Sequence, residues 1–472
     1  MSKEKGKQFA GKKIVVLGLA KSGVAVAKLM KQFGATVTVN DKKPREEAAG
    51  VEELERLGIP VICGYHPDDL LDESVDLVIK NPGIPYTVAP VRAALALKIP
   101  VITEVEIAYL LSDAPIIGIT GSNGKTTTTT LVGEILREAT LSPVVAGNIG
   151  TVLSEQAVTV TSDQILVAEL SSFQLKGTRD FRPQIACILN VYDAHLDYHK
   201  TKEDYIHSKF NLLVNQREED IAVLNYDNEG TCSAAAYTKA AILWFSVKEE
   251  IAQGSFVKDG FVVFKKPAAG PLQDKLADSP EVERIIRVEE IALPGGHNLE
   301  NVLAAVSIAR AAGASAQAIA HVLRSFAGVE HRIEFVAEIN GVKYYNDSKA
   351  TNPAAAIPAL RAFKEPIVLI AGGLDRGIDF KELVPLLKEH ASGLVVYGQT
   401  AEILAKRGTE AGIKIIKRVD NVRDAVASAH LIAHPGDVVL LSPACASWDM
   451  YKSFEERGSI FKESVHKLKT SR

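Results

Sequence analysis

The chain has 472 residues, of which 47% are hydrophobic and 24% charged, and a formal net charge of −4. That length gives room for roughly three domains, each able to bury a core, and nothing in the composition points to disorder. The mild acidity excludes a broad nucleic-acid surface. No stretch reaches the ~18 uninterrupted apolar residues of a membrane span, so the expectation is a soluble, cytoplasmic protein without nucleic-acid or membrane partners.

Cys63, Cys187, Cys232 and Cys445 form no CxxC pair. They read as reduced, mostly buried thiols. The basic N-terminus (Lys3, Lys5, Lys7, Lys12, Lys13) followed by apolar residues 14–19 mimics a leader. Lys21 interrupts that pattern, however, and the apolar run makes a good first strand.

The first region, residues 1–112, alternates strand and helix patterns. Strands are expected at 14–17, 36–39, 75–79 and 101–102, with a helix over 24–33; this rhythm predicts a parallel sheet covered by helices. Gly18-x-Ala20-x-x-Gly23 approaches a dinucleotide fingerprint, but the middle glycine is alanine. A Cβ there hinders the close approach of a pyrophosphate, which argues against bound NAD. Asp41, at the end of the second strand, stands where such folds meet a ribose or base. Asn81-Pro82-Gly83-Ile84 forms a second loop at the same sheet edge. A nucleotide-containing ligand and an empty structural turn both remain open on this pattern.

The second region, residues 113–327, opens on Gly-Ile-Thr-Gly-Ser-Asn-Gly-Lys-Thr-Thr-Thr-Thr-Thr at 118–130. A strand, a glycine loop, a lysine and a helix make a phosphate cradle. Loop N–H groups and the helix N-terminus supply positive partial charge, Lys125 a full one, and Thr126 a hydroxyl for Mg²⁺. The strict Walker pattern wants glycine where this chain has Ile119, so the match is near and not literal. An ordinary Gly-rich turn has no need of the lysine and hydroxyl. Further strands are expected at 165–168, ending in Glu169, at 185–189, ending in Asn190, and at 221–224. A carboxylate at a strand end beside a phosphate loop suits Mg²⁺, which prefers oxygen ligands. His195 lies in a loop after a strand, where it suits a second metal or a plain hydrogen bond. Lys209, by local spacing, looks like an ordinary helix lysine. Residues 255–290 suggest a small antiparallel excursion, and an alanine-rich helix opens near Asn298.

The third region, residues 328–472, repeats the α/β rhythm, with strands expected at 342–345, 367–371, 394–397 and 438–441. Residues 346–353 (Asn-Asp-Ser-Lys-Ala-Thr-Asn-Pro) and 442–448 (Ser-Pro-Ala-Cys-Ala-Ser-Trp) follow strands and are too polar to pack a core. Both read as ligand loops at the carboxyl edge of a sheet. Cys445 has no evident histidine partner and is expected to be buried rather than nucleophilic.

Taken in order, these pieces resemble the Mur ligase family, the ATP-dependent ligases that build the peptide of bacterial cell-wall precursors. The matching residues are 120–126 (Thr-Gly-Ser-Asn-Gly-Lys-Thr), 147–150 (Gly-Asn-Ile-Gly), Glu169, His195, Gly296-His297-Asn298-x-x-Asn301, His331-Arg332 and 346–352. Residues 169–175 and 442–447 are most similar to the branch that adds D-glutamate. The resemblance implies three α/β domains: a Rossmann-like one for the nucleotide sugar, a P-loop ATPase-like one with a mostly parallel sheet, and a Rossmann-like C-terminal one bringing the amino acid. It implies a monomer that takes UDP-N-acetylmuramoyl-L-alanine, D-glutamate and ATP, with two Mg²⁺ ions, through an acyl phosphate. The siblings adding another amino acid, including the folate polyglutamate ligases, are the alternative, and a nucleotide switch or a dehydrogenase are more distant ones.

Residue by residue, the resemblance implies that Gly121, Ser122, Asn123, Gly124, Lys125, Thr126 and Thr127 hold the phosphates. Thr126 and Glu169 would serve one Mg²⁺ and His195 the other, with Lys209 carbamylated to face the metal. Asn148 would position the acyl phosphate, Asn298 would contact adenine, and Arg332 and Asp347 would reach the ribose and phosphates. Lys349, Thr351, Ser447 and Phe454 would line the D-glutamate site, and Asp41 would meet uracil. Two departures stand out. Arg376 replaces the family lysine in 372–377, and Asn81 replaces the serine usual before Pro82-Gly83 at the diphosphate contact.

Overall fold

The computed structural model describes residues 2–48, 50–192, 196–293 and 295–470. They form two compact units, Met1–Ile291 with Asn298–Ser325, and Ala292–His297 with Phe326–Arg472. The first unit carries two sheets and the second carries one, each α/β and mostly parallel.

The first sheet contains β1 (Lys13–Leu17), β2 (Thr36–Asp41), β3 (Val61–Cys63), β4 (Leu77–Lys80) and β5 (Val101–Ile102). Its order is β3-β2-β1-β4-β5, with every pair parallel. Val15, Leu17 and Val78 pack on one face and Ile14, Val16 and Ile79 on the other. Burial on both faces explains why these strands are continuous apolar runs. The strand expected at 75–79 begins two residues later. Val75 N–H donates to Asp72 O (3.1 Å) in a turn, and the Asp76 carboxylate accepts Lys13 N–H (2.8 Å). The helix expected at 24–33 starts earlier, at Lys21, and runs to Gln32.

The second sheet contains β6 (Ile116–Thr120), β7 (Pro143–Gly147), β8 (Ile165–Glu169), β9 (Ile185–Ile188), β10 (Ile221–Asn225), β11 (Ala241–Ser246), β12 (Gly254–Lys258), β13 (Phe261–Lys265) and β14 (Val282–Arg287). Their order is β14-β13-β12-β11-β10-β9-β6-β8-β7. The strands are parallel from β7 to β12, and the excursion β12-β13-β14 is antiparallel as its alternating pattern predicts. The alanine-rich helix spans Gly296–Ala312.

In the second unit, β15 (Glu334–Ile339), β16 (Val342–Asn346), β17 (Ile367–Gly372), β18 (Ala391–Tyr397), β19 (Ile416–Arg418) and β20 (Val438–Leu441) stack as β15-β16-β20-β17-β18-β19. All pairs are parallel except the β15-β16 hairpin. Ile367, Leu369 and Ala371 face one core while Val368 and Ile370 face the other, so the middle of this sheet is also covered on both sides. In all three sheets the polar loops picked out from sequence follow the carboxyl ends of central strands, where open α/β sheets hold ligands.

Candidate active site

The phosphate loop leaves the fully buried β6 and turns into the helix Lys125–Glu138. Its shape depends on two glycines. Gly124 is left-handed (φ +81°), and a Cβ there would lie 2.1 Å from Asn301 Oδ1; a Cβ on Gly121 would lie 2.9 Å from Leu189 Cβ. Asn190, just past β9, clamps the loop from the side: its Oδ1 accepts Asn123 N–H (2.9 Å) and its Nδ2 donates to Asn123 O (3.3 Å). Ser122 N–H donates to Asn190 O (3.0 Å), and Ser122 Oγ pairs with Tyr205 OH (2.8 Å). Asn301 accepts from Thr128 Oγ1 (3.3 Å) and donates to Asn298 Oδ1 (2.9 Å), so the helix Gly296–Ala312 braces the phosphate-loop helix.

Two lysines converge on one carbonyl. Lys125 Nζ donates to Gly121 O (2.8 Å) and Ser122 O (3.0 Å), and Lys209 Nζ donates to the same Gly121 O (2.9 Å). Lys209 is only 1% exposed, with its ammonium 4.7 Å from the centre of the Tyr205 ring. Burial first, and Lys125 second, hold its pKa well below the ordinary lysine value. Local spacing alone makes Lys209 look like an ordinary helix lysine, and its burial departs from that reading. The helix Lys202–Phe210 buries Tyr205, Ser208, Lys209 and Phe210, and through Lys209 it meets the loop after β6.

Glu169, at the end of β8, is 1% exposed and not the solvated carboxylate that a lone strand-end glutamate usually is. Its Oε1 accepts Asn148 Nδ2 (2.8 Å), while the buried Oε2 has no hydrogen-bond partner among the described residues. Gly147 (φ +112°) admits no Cβ, which would lie 2.4 Å from Glu169 O, and Asn148 N–H donates to that carbonyl (2.9 Å). Gly147-Asn148 thus wraps over the carboxylate. An orphaned buried carboxylate oxygen, with a buried threonine (Thr126) opening the helix after the phosphate loop, is the kind of oxygen donor a hard divalent cation takes. His195 lies outside the described residues. Among the described residues no cluster of three His, Cys, Asp or Glu could hold a metal by itself.

At the first sheet, Gly18 (φ +97°) and Asn81 pack so closely that a Cβ on Gly18 would lie 2.8 Å from Asn81 Cβ. The Asp41 carboxylate accepts Leu19 N–H (2.6 Å) and Lys43 N–H (2.8 Å), which shapes the loop opposite Asn81. In the second unit the loops after β16, β17 and β20 meet. Arg457, fully buried, donates to Ser348 Oγ (3.0 Å), Ser348 O (2.8 Å) and Cys445 O (3.0 Å). Ser442 Oγ donates to Asp347 Oδ2 (2.7 Å), and burial pushes the Asp347 carboxyl up to about 7. Ser348 Oγ donates to Phe454 O (2.7 Å), and Lys349 N–H donates to His331 O (3.0 Å). Ser447 is buried, its carbonyl accepting Met450 and Tyr451 N–H, whereas Thr351 is half-buried at the mouth of its loop. Arg332 sits in the turn after Val329, whose carbonyl accepts its N–H (3.1 Å). Arg376 lies 5.0 Å over the exposed Trp448 ring. Cys445 is buried, with its thiol pushed up to about 11, and all four cysteines are free; Cys63 and Cys232 are only half-buried.

Asn190, Tyr205 and Arg457 carry no role in the sequence reading. A polar residue closing a buried strand (Asn190) was the available signal for the first. The other two act through contacts far apart in sequence.

Three family models match the chain: the MurD-like N-terminal domain at residues 12–103, the Mur ligase middle domain at 119–309 and the Mur ligase glutamate ligase domain at 331–445. The UDP-N-acetylmuramoylalanine–D-glutamate ligase of Geobacillus sp. (strain WCH70) is 51% identical over 98% of this chain and 99% of its own. The chain belongs to the Mur ligase family. The like-named ligase of Bacillus mycoides is 49% identical to this Mur ligase, again over 98% of the chain and 99% of its own. Solved structures share the fold. UDP-N-acetylmuramate-alanine ligase from Thermotoga maritima matches with TM-score 0.53 and 20% identity, covering 98% of this Mur ligase and all of that chain. The MurF ligase of the same organism in complex with ADP gives 0.52 and 18%, covering 98% and 97%.

Proposed function

We propose that this Mur ligase is an ATP-dependent ligase that joins D-glutamate to UDP-N-acetylmuramoyl-L-alanine in the assembly of the peptidoglycan precursor. Relatives of that name, about half identical over nearly the whole length, support it. The observation that carries the chemistry is the convergence of Lys125 and Lys209 on Gly121 O, in a domain whose Glu169 keeps a buried oxygen without a hydrogen-bond partner among the described residues. A buried amino group (Lys209), a half-buried one (Lys125) and a buried carboxylate are a costly way to build a core and a good way to receive a triphosphate with its cation.

In this reading residues 1–112 take the nucleotide sugar, 113–327 take ATP and 328–472 bring the amino acid. The acceptor carboxylate attacks the γ-phosphorus, ADP leaves and an acyl phosphate forms. The D-glutamate amine then attacks the acyl carbon, phosphate leaves with the electrons of the C–O bond, and the amine's proton goes to the departing phosphate or solvent. Lys125 swings from its own loop carbonyls to the phosphates, and Asn148, fixed by Glu169, faces the acyl phosphate. Thr126, Glu169 and His195 would hold two Mg²⁺ ions, which supply charge neutralisation on the phosphate oxygens. Burial, which lowers the Lys209 pKa, favours the neutral amine that can react with CO₂. Its nitrogen would form the N–C bond with loss of a proton to solvent, leaving a carbamate anion that could serve as a further oxygen ligand for Mg²⁺. Asn298 contacts adenine, and Arg332 and Asp347 reach the ribose and phosphates. Lys349, Thr351, Ser447 and Phe454, with Arg376 in place of the family lysine, line the D-glutamate pocket, and Asp41 meets uracil. The chain acts as a cytoplasmic monomer; among the described residues no helix is long and apolar enough to cross a membrane.

The test supplies the UDP-sugar, ATP and Mg²⁺ with D-glutamate, L-glutamate, L-lysine or diaminopimelate separately. Phosphate release is expected with D-glutamate. Faster release with another amino acid would assign the chain to a sibling ligase.

A further inference from the structure

Lys80, the last residue of β4, is 1% exposed and makes no ion pair among the described residues. Its ammonium is instead wrapped by acceptors from the loop that follows. Nζ donates to Pro82 O (3.1 Å), Ile84 O (3.0 Å) and, at the longer distance of 3.4 Å, Asn81 O. Tyr198 OH is also within reach of Nζ (3.1 Å), and its single proton is shared between Pro82 O (3.0 Å) and Ile84 O (3.2 Å). The Tyr86 ring lies 4.8 Å from the ammonium. Tyr198 comes from the second sheet's side of the unit, three residues past His195.

Burying a lysine without a carboxylate is expensive, and burial with Lys176 nearby pulls its pKa down to about 7. A methionine would fill the same space without that cost, so packing alone does not explain the residue. What the ammonium does is draw the loop's carbonyl oxygens inward. Gly83, at the tip, is exposed, with nothing within 4 Å of where its Cβ would be. The solvent face of the loop is thereby stripped of carbonyl lone pairs, which would repel an anion, and gains the field of a nearby cation. Asn81, standing where the family has serine, belongs to this same loop, so the lysine offers a way to prepare the loop for an anion that does not depend on a hydroxyl.

We propose that Lys80 is a positioning residue for the diphosphate of the nucleotide-sugar substrate: it folds the Asn81–Ile84 loop carbonyl-side inward and, through Tyr198, fastens that loop to the helix Leu196–His199. The proposal rests on the assignment of the nucleotide sugar to the first sheet. The acceptor is held by a loop tied to the ATP side of the unit, so its carboxylate is presented to the γ-phosphate from a fixed direction.

The test compares wild type with Lys80→Met, Lys80→Arg and Tyr198→Phe. The readouts are KM for UDP-N-acetylmuramoyl-L-alanine, KM for ATP and, by calorimetry without turnover, the affinity for the UDP-sugar alone. Lys80→Met is expected to raise the acceptor KM and the calorimetric Kd about tenfold, the scale of a lost charge-assisted hydrogen bond, with the ATP KM moving less than about twofold. Tyr198→Phe, which keeps the ring and its packing, is expected to raise the same two constants about threefold. Lys80→Arg, which keeps charge and donors, is expected to fall between wild type and Lys80→Met. An acceptor KM that stays at the wild-type value in Lys80→Met, or that rises in step with the ATP KM, overturns the proposal. Should Lys80→Met fail to fold, an unchanged acceptor constant in Tyr198→Phe overturns it alone. The ligase reading fails separately: wild type would then release no phosphate in response to D-glutamate, while the calorimetric comparison still reports on Lys80.

Discussion

Gly124→Ala perturbs the phosphate loop at a point where the structure fixes the cost. Residue 124 has φ +81°, and an L-residue in that region costs about 1–2 kcal/mol. The new Cβ would also lie 2.1 Å from Asn301 Oδ1, closer than any real contact, so Asn301 must move. In moving it gives up its bonds to Thr128 (3.3 Å) and Asn298 (2.9 Å), worth about 1 kcal/mol each. The expected local destabilisation is therefore about 3–4 kcal/mol, adding the two costs. Asn301→Ala alone should cost about 2 kcal/mol, because it loses the same bonds without the strained backbone. In the double variant the clash has no partner, so its cost should stay near that of Gly124→Ala and fall about 2 kcal/mol short of the sum of the single variants. Native-state hydrogen exchange of the amides in Lys125–Glu138 reads this local free energy directly. Strict additivity, or wild-type protection in Gly124→Ala, would refute the coupling between the loop and the Asn298-x-x-Asn301 motif.

Lys209→Ala should lower kcat by about 10²–10³, the usual loss of one electrostatic group in a phosphate site, and recover in part with a short carboxylic acid; full activity without rescue would sink the carbamate. Asn190→Ala removes the clamp on Asn123 and should raise the ATP KM about tenfold while leaving the acceptor KM alone; an unchanged ATP KM would show that the loop holds its shape without it. Glu104, fully buried with Ser154 N–H donating to it (3.0 Å), has its carboxyl pushed up to about 7 chiefly by burial. The folded chain then keeps a proton that the unfolded chain releases above the ordinary glutamate value of 4.5. Its contribution to stability is complete below that value and is lost as pH rises to about 7, by about 3 kcal/mol in all. Glu104→Gln should flatten that part of the stability–pH curve, and an unaltered slope between pH 5 and 7 would count against the burial argument.

What could be read in advance follows from what is local. The central strands are apolar runs because both faces are covered, and the phosphate loop is legible because its glycines, lysine and threonine are contiguous. Edge strands are less readable: β19 is Ile-Lys-Arg with two exposed charges, and β3 is three half-buried residues. The β15-β16 hairpin did carry a local signal, the Asn340-Gly341 pair with φ +55° and +78°, which suits a tight hairpin turn. The strand expected at 342–345 matches β16, whereas β15 is not among the expected strands.

The site residues divide in the same way, and the division bears on mechanism. Lys125 announces itself, but Lys209 lies 84 residues further on, in a helix whose neighbours are mostly polar, and only folding places its amino group on the carbonyl that Lys125 also uses. Glu169, Asn190 and Lys209 come from three different elements and meet around one loop. Binding energy for a triphosphate can therefore be set by the fold before any ligand arrives, because each polar group is aimed by a buried strand end or a packed helix. That arrangement has a cost visible in the chain itself: a lysine held far from its ordinary pKa and a carboxylate oxygen left without a hydrogen-bond partner among the described residues. In the proposed ligase reading, the phosphate must be passed to a carboxylate whose negative charge has to be brought up to the γ-phosphate and offset there. The buried Lys209 would serve that demand, which a protein merely switching on nucleotide binding does not face.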